Sequence, residues 1–338
     1  MPADERSPMD RAVELAALGP AHGPNPRVGA VLVGPDGSIV GEGWHHGAGT
    51  PHAEVEAISD AARRGLSTEG ATAYVTLEPC AHTGRTGPCT DALTAARVGG
   101  VVYAVADPNP AAAGGAQVLA ERGIPARLEP HPGAAALNAR WLVAMRRQRP
   151  YVIAKWAQTL DGRIAARDGS SFWITGEEAR EHTHRTRAEV DAIVVGTGTV
   201  LADDPQLSAR PGGQDAEHQP LRVVMGRRET PGARVWRDAN AVHVPTHDPH
   251  EVLAVLHERQ ARTVMVEGGA AVVTAFLAHG LVDEIHAYVA PALLGAGTSA
   301  VGDLGIDSLS QALRASRVEA TPLGADTLIR AFVSPDAR

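Results

Sequence analysis

Cysteine is almost absent from this chain: 338 residues contain two, Cys80 and Cys89, and both lie on one short loop. A disulfide framework is thereby excluded as the organising principle. Aromatic residues are scarce at 4%, so the cores must be built from Ala, Val, Leu and Ile. No apolar run approaches the roughly 18 residues needed to cross a bilayer. The start, MPADERSPMDRAVELAALGP, carries acids and lacks the basic beginning and apolar middle of a secretory signal. Long basic runs are missing too, and the formal charge is −8, from 31 basic and 39 acidic side chains. Duplex nucleic acid and anionic membranes are therefore poor partners. The expectation is a cytoplasmic protein that works on a small molecule, with no nucleic-acid or membrane partner.

What is present is globular: 44% hydrophobic and 21% charged residues, over a length that suits two domains. Ser7-Pro8 caps a helix that Gly19 closes. Periodicity and turn residues predict strands at 28–33, 38–43, 71–77 and 101–106, with helices at 52–65, 90–98 and 116–122. His131-Pro132-Gly133 breaks the pattern, and a helix over 134–147 ends before Arg149-Pro150. The alternation restarts at Tyr151, with strands at 151–156, 192–195, 221–224, 241–244, 263–266, 284–289 and 327–332. Helices at 177–188, 249–261 and 270–279 lie between them. Two α/β domains are expected, at 1–147 and 151–338.

The thiol loop reads TLEPCAHTGRTGPC, from Thr76 to Cys89. Upstream stands Pro51-His52-Ala53-Glu54. His-x-Glu followed by Pro-Cys and a second Cys matches the signature of zinc-dependent deaminases. On that reading His52, Cys80 and Cys89 hold zinc, and the open fourth position takes a water whose pKa falls to about 7. Glu54 is then no ligand; it carries the proton from water to the leaving amine. Two other readings stay open. The cysteines could be inert core thiols, or the zinc could be a structural staple with His82 or His46 as fourth ligand. The generic signature separates its cysteines by two residues, whereas eight separate them here. Such a loop, with His82 and Arg85, could reach a substrate larger than a bare base, and Arg85 suits a phosphate.

In the second half, two glycine turns follow predicted strands: Gly196-Thr197-Gly198-Thr199 and Gly268-Gly269. Backbone amides at the helix start after Gly269 suit a phosphate. Neither turn completes the dinucleotide fingerprint, so each could be only a tight turn. Arg187 and Arg210 could hold a sugar phosphate or be solvated surface charge. Glu267 would repel a phosphate and suits a sugar hydroxyl.

Asn25-Pro26-x-Val28-Gly29, Gly43-Trp44-His45, Pro51-His52-Ala53-Glu54, Pro79-Cys80-x-His82-x-Gly84-Arg85-Thr86 and Asp107-Pro108-Asn109-Pro110 resemble the deaminase half of the bifunctional riboflavin-biosynthesis deaminase–reductases. Lys155-x-Ala157-x-Thr159-Leu160-Asp161-Gly162, Trp173-Ile174-Thr175, Thr199-x-x-x-Asp203-Asp204-Pro205 and Val266-Glu267-Gly268-Gly269 are similar to the reductase half. The resemblance implies a cytidine-deaminase-like α/β/α sandwich followed by a dihydrofolate-reductase-like α/β domain. It also implies zinc-dependent deamination of a phosphoribosyl pyrimidine, then NADPH-dependent reduction of ribosyl to ribityl, in a homo-oligomer (dimer or tetramer). Asn25 and His45, with His82 and Arg85, would line the pyrimidine site. Ala157, Trp173, Thr199 and Asp203 would bind NADPH, with Gly269 in the glycine turn beside them. Ser171, Arg187, Leu207, Arg210 and Glu267 would bind the reductase substrate, and Lys155 could face the reacting carbon. Departures from the family pattern are Thr159 for the usual Ser, Met225-Gly226 for Asp-Ser, and Gly87 before Pro88 in place of a second proline. A single active half with the other as scaffold, or a non-catalytic zinc-stapled module, are the alternatives.

Overall fold

Strand β1 (Gly29–Val33) turns Ala30 and Leu32 to one face and Val31 to the other, and both faces are buried. Such a strand needs helices on both sides, and the computed structural model supplies them. It describes residues 7–82, 87–110 and 112–333. The chain divides into two compact units, Met1–Arg147 and Gln148–Arg338.

The first unit begins with α1 (Pro8–Ala17), whose N-cap Ser7 forms a capping box with Asp10. After β1 come β2 (Ile39–Trp44), α2 (Ala53–Arg63), β3 (Thr72–Val75), α3 (Cys89–Ala95), β4 (Gly100–Tyr103), α4 (Gly115–Glu121), β5 (Ala126–Leu128), α5 (Pro132–Leu137) and α6 (Ala139–Arg147). The sheet runs β2-β1-β3-β4-β5, antiparallel at β2/β1 and β1/β3 and parallel beyond. Ala53, Ala57, Leu93 and Leu119 cover one face, while Met9, Ala12, Leu15 and Ala134 cover the other, giving an α/β/α sandwich. Small residues set the spacing. A Cβ on Gly41 would stand 2.2 Å from the Ala57 carbonyl oxygen, and one on Gly43 2.4 Å from its nitrogen. Helix α2 therefore lies backbone-to-backbone on β2, which fixes its first turn.

The single helix expected over 134–147 is two helices that meet at Asn138. The reason is long-range. Asn138 Oδ1 accepts from Arg27 N–H (2.9 Å), and its Nδ2 donates to the Arg27 carbonyl (2.7 Å). Trp141 Nε1 donates to the Pro24 carbonyl (2.9 Å). The helix break thus clamps the segment that carries Asn25.

The second unit comprises β6 (Tyr151–Thr159), β7 (Arg163–Ala165), α7 (Glu177–Glu189), β8 (Ala192–Gly196), α8 (Thr197–Asp203), β9 (Leu221–Met225), β10 (Ala241–Val244), α9 (Pro249–Glu258), β11 (Thr263–Val266), α10 (Ala270–Ala278), β12 (Glu284–Ala290), β13 (Thr298–Ser299), β14 (Ala315–Leu323) and β15 (Asp326–Val333). Its main sheet runs β10-β9-β8-β11-β6-β12-β15-β14. The strands are parallel from β10 to β12, and β15 and β14 close one edge antiparallel. Val152, Ala154, Val194, Val223, Val264 and Val266 pack under Leu253, Leu256 and Phe276, as strands buried on both faces require. No helix among the described residues is long and apolar enough to cross a membrane.

Candidate functional site

In the first unit, His52 is the N-cap of α2 and Cys89 the first residue of α3. Cys80 lies on the loop that follows β3. The ligand atoms of these three residues all fall within 4.8 Å of one another. His52 Nδ1 is 3.1 Å from Cys89 Sγ and 3.5 Å from Cys80 Sγ. Zinc bonds of about 2.0–2.3 Å at tetrahedral angles separate ligand atoms by roughly 3.5–3.8 Å, so small shifts admit the ion. The electrostatics fit as well. Contact with the Cys89 thiol, then with His52, brings Cys80 down to about 4. The Cys80 sulfur and burial push Cys89 up, since adjacent sulfurs resist sharing two negative charges without a cation. An N–H of the first turn of α3, that of Cys89, donates to Cys80 Sγ at 3.4 Å. His46 and His82 are not in this ligand group; His46 packs against Trp44 with ring centroids 4.6 Å apart.

Glu54, the second residue of α2, is 3% exposed and lies against His52, Cys80 and Cys89. Burial raises its pKa, which suits a group that must take and return a proton. His45 stands edge-on to His52, with centroids 5.3 Å apart. Its Nδ1 donates to the Pro51 carbonyl (3.0 Å), leaving Nε2 to accept from Asn25 Nδ2 (2.8 Å). Burial lowers the pKa of His45, so the ring stays neutral and this tautomer holds. Asn25 and His45 are thus brought beside the metal ligands. His82 is partly buried, and its Nδ1 has no hydrogen-bond partner among the described residues. Arg85 lies outside the described residues.

In the second unit the two glycine turns, 70 residues apart, meet: Gly269 N–H donates to Thr199 Oγ1 at 2.9 Å. They sit at the carboxyl ends of the neighbouring parallel strands β8 and β11, where open α/β sheets bind ligands. Helices α8 and α10 start at those strand ends, a setting suited to a nucleotide phosphate. The expected tight turn after β8 is in fact the first turn of α8, which ends at Asp203.

Beside these turns Glu267 gathers the charges. Arg187 Nε and Nη2 donate to its two oxygens at 2.6 and 2.8 Å, and Lys155 Nζ lies 3.5 Å from Oε2. Arg187 is largely withdrawn from solvent here, and its Nη1 donates to the Ser208 carbonyl (3.1 Å). That bond brings in the segment of Leu207, which is buried with φ 53°, and Arg210, whose Nη1 donates to Gln206 and Ser208 Oγ. Tyr288 was not singled out from the sequence; Lys155 Nζ lies 5.5 Å from its ring centroid, and its hydroxyl bonds His182 Nδ1 at 2.8 Å. Ala157 packs against the same tyrosine cluster. Ser171, Trp173 and Asp203 make no hydrogen bond to this group among the described residues; Trp173 is exposed under the Arg180 guanidinium, 4.6 Å away.

Burial pushes Glu267 up, but Arg187 and Lys155 outweigh it and bring the carboxyl to about 2. Burial lowers Lys155, against the pull of Glu267. Because the folded pKa of Glu267 is depressed, its contribution is complete above the unfolded value of about 4.3 and fades as pH falls toward 2, by up to about 3 kcal/mol. Urea midpoints of the second unit should therefore drop between pH 5 and pH 3, and Glu267→Gln should flatten that limb. An equally steep limb in Glu267→Gln would assign the acid sensitivity elsewhere.

Comparison with known proteins follows the same division. A family model described as the cytidine and deoxycytidylate deaminase zinc-binding region matches residues 2–105, and one described as the RibD C-terminal domain matches residues 150–329. The riboflavin biosynthesis protein RibD of Mycobacterium tuberculosis (strain ATCC 25618 / H37Rv) is 49% identical over 312 residues, 90% of each chain. Among solved structures, Acinetobacter baumannii RibD (form 1) is similar with a TM-score of 0.88 at 39% identity, covering 97% of this chain and 98% of that one. A diaminohydroxyphosphoribosylaminopyrimidine deaminase/5-amino-6-(5-phosphoribosylamino)uracil reductase from Thermotoga maritima gives 0.83 at 33% identity, covering 97% and 98%.

Proposed function

Since the chain belongs to the RibD family of bifunctional riboflavin-biosynthesis deaminase–reductases, we propose how its residues divide the two reactions. The enzyme is a zinc-dependent deaminase and an NADPH-dependent reductase acting on a small molecule. Residues 1–147 carry the deamination and 151–338 the reduction.

In the first reaction His52, Cys80 and Cys89 would hold zinc. The metal, when bound, lowers the pKa of a water to about 7. Glu54 takes a proton from the attacking water and delivers it to the pyrimidine's departing amine, which leaves as ammonia, so the carbon keeps the oxygen and a uracil remains. Asn25 and His45, locked to each other, hold the ring's polar edge, while His82 and Arg85 reach toward the phosphoribosyl group.

In the second reaction Ala157, Trp173, Thr199, Asp203 and Gly269 hold the cofactor, which supplies a hydride. Thr199, whose hydroxyl oxygen accepts from Gly269 N–H, can turn its own O–H toward the cofactor phosphates. Ser171, Arg187, Leu207, Arg210 and Glu267 hold the phosphoribosyl substrate, with Lys155 at the carbon that is reduced. Desolvation makes the Lys155 charge sensitive to what sits beside it, and Glu267 orients it.

The observation that carries the reading is the buried Glu54 packed against one imidazole and two sulfurs within ligand distance of each other. Metal analysis of the purified chain should give about one zinc per chain. Ammonia release from the diamino substrate and NADPH oxidation with the deaminated product should both be measurable separately. Absence of zinc, or one dead step beside a full-rate other, would sink the bifunctional assignment. A cytoplasmic homo-oligomer, dimer or tetramer, completes the proposal; sedimentation reads the subunit number.

A further inference from the structure

Glu78 stands two residues before Cys80 and is 9% exposed. Its Oε2 accepts from Asp107 N–H at 3.2 Å, and its Oε1 accepts from Gly114 N–H at 3.2 Å and Ala116 N–H at 3.1 Å. Its own N–H donates to the Val105 carbonyl at 2.8 Å. One carboxylate therefore binds three backbone donors, two in the connection from β4 to α4 and one in the first turn of α4. Asp107, Gly114 and Ala116 are partly shielded from solvent, and backbone N–H groups withdrawn from water need partners.

That connection packs on both sides of Cys80. A Cβ on Gly115 would stand 1.7 Å from the Pro79 carbonyl oxygen, so the start of α4 presses directly on the residue before the cysteine. On the other side Ala81 N–H donates to the Ala112 carbonyl at 3.3 Å. The Cys80 carbonyl itself accepts from Thr90 N–H at 3.3 Å, beside Cys89. We infer that Glu78 is a positioning residue for the metal centre: by clamping the β4–α4 connection it holds Cys80 at ligand distance from His52 and Cys89. This rests on those three residues being the zinc ligands.

The chemistry calls for a carboxylate. Ionised, it only accepts, and two oxygens can serve three donors. Glutamine would turn an NH2 toward one of those N–H groups. Aspartate keeps the charge but falls one carbon short. Outer partners that fix a ligand typically carry 10–100-fold in metal affinity or activity.

The test uses the full chain as Glu78→Gln and Glu78→Asp. Zinc release to a chelator should be about 10–100-fold faster in Glu78→Gln, and smaller but measurable in Glu78→Asp. Cobalt-substituted protein should show altered thiolate-to-metal bands. Deamination should lose kcat with KM little changed, while NADPH oxidation with the deaminated product stays at the parent rate. Parental zinc release and cobalt bands in both variants would overturn the inference, even with a lowered melting temperature, and would leave Glu78 a loop staple. Should Glu78→Gln fail to fold its first unit, Glu78→Asp decides alone by the same readouts. The ligand assignment is checked apart: a parent chain without zinc, or a Cys80→Ser chain that still binds it, would fail that reading whatever Glu78 does.

Discussion

Glu54→Gln is expected to retain its zinc and lose deamination by a factor of about 100 to 10,000. The exchange is nearly isosteric, so α2 and the His52 ligand before it keep their places. What disappears is a group able to shuttle a proton. Burial has already raised the Glu54 pKa, so the carboxyl is poised to be protonated in one half of the cycle and ionised in the other. Folding should not suffer, because an amide is cheaper to bury than a carboxylate. Metal analysis, ammonia release and a melting curve on one preparation decide the matter. Deamination near the parent rate would remove Glu54 from the mechanism. Loss of zinc would instead make it a ligand, contrary to the group formed by His52, Cys80 and Cys89 alone.

The metal centre was legible because its chemistry is local. Two short motifs carry the ligands and the acid, and the helices expected from 52 and from 90 begin at Ala53 and Cys89. What holds the motifs was not legible. Asn138 and Arg27 meet across 111 residues, and a pattern that reads as one continuous helix conceals the break. Glu78 looks like any loop acid until the β4–α4 connection folds over it.

The second half divides along the same line. Central strands such as β8 and β11, buried on both faces, announce themselves as branched apolar runs. Edge strand β14, ASRVEATPL, is mostly exposed, contains a proline, and has no apolar period to find. Helix α7 misleads in another way. It is polar almost throughout and buries Ala179, Thr183 and Thr186 rather than a leucine stripe, so Arg187 reads as solvated when it is in fact paired with the buried Glu267. Tyr288 becomes meaningful only through register, since β12 sets it opposite Ala157 and His286 opposite Lys155.

Cys80→Ser should separate the two activities: zinc falls from about one per chain toward none, deamination falls to background, and NADPH oxidation with the deaminated product persists. A serine hydroxyl stays protonated near neutral pH and is a poor ligand where a thiolate is a good one. Its oxygen is also too small to hold the Cys89 N–H now 3.4 Å from sulfur. The loop that carries Cys80 therefore loses both its ion and one of its internal contacts. The reductase unit has its own core, from Val152 to Val282, and its charged cluster joins Lys155, Arg187 and Glu267 of that same unit. Nothing in that cluster gives it reason to follow the metal. Near-normal deamination in a serine variant free of zinc would end the metal mechanism. Joint loss of both activities in a chain that remains folded would mean that the reductase depends on the integrity of the deaminase centre, a dependence its own residues do not explain.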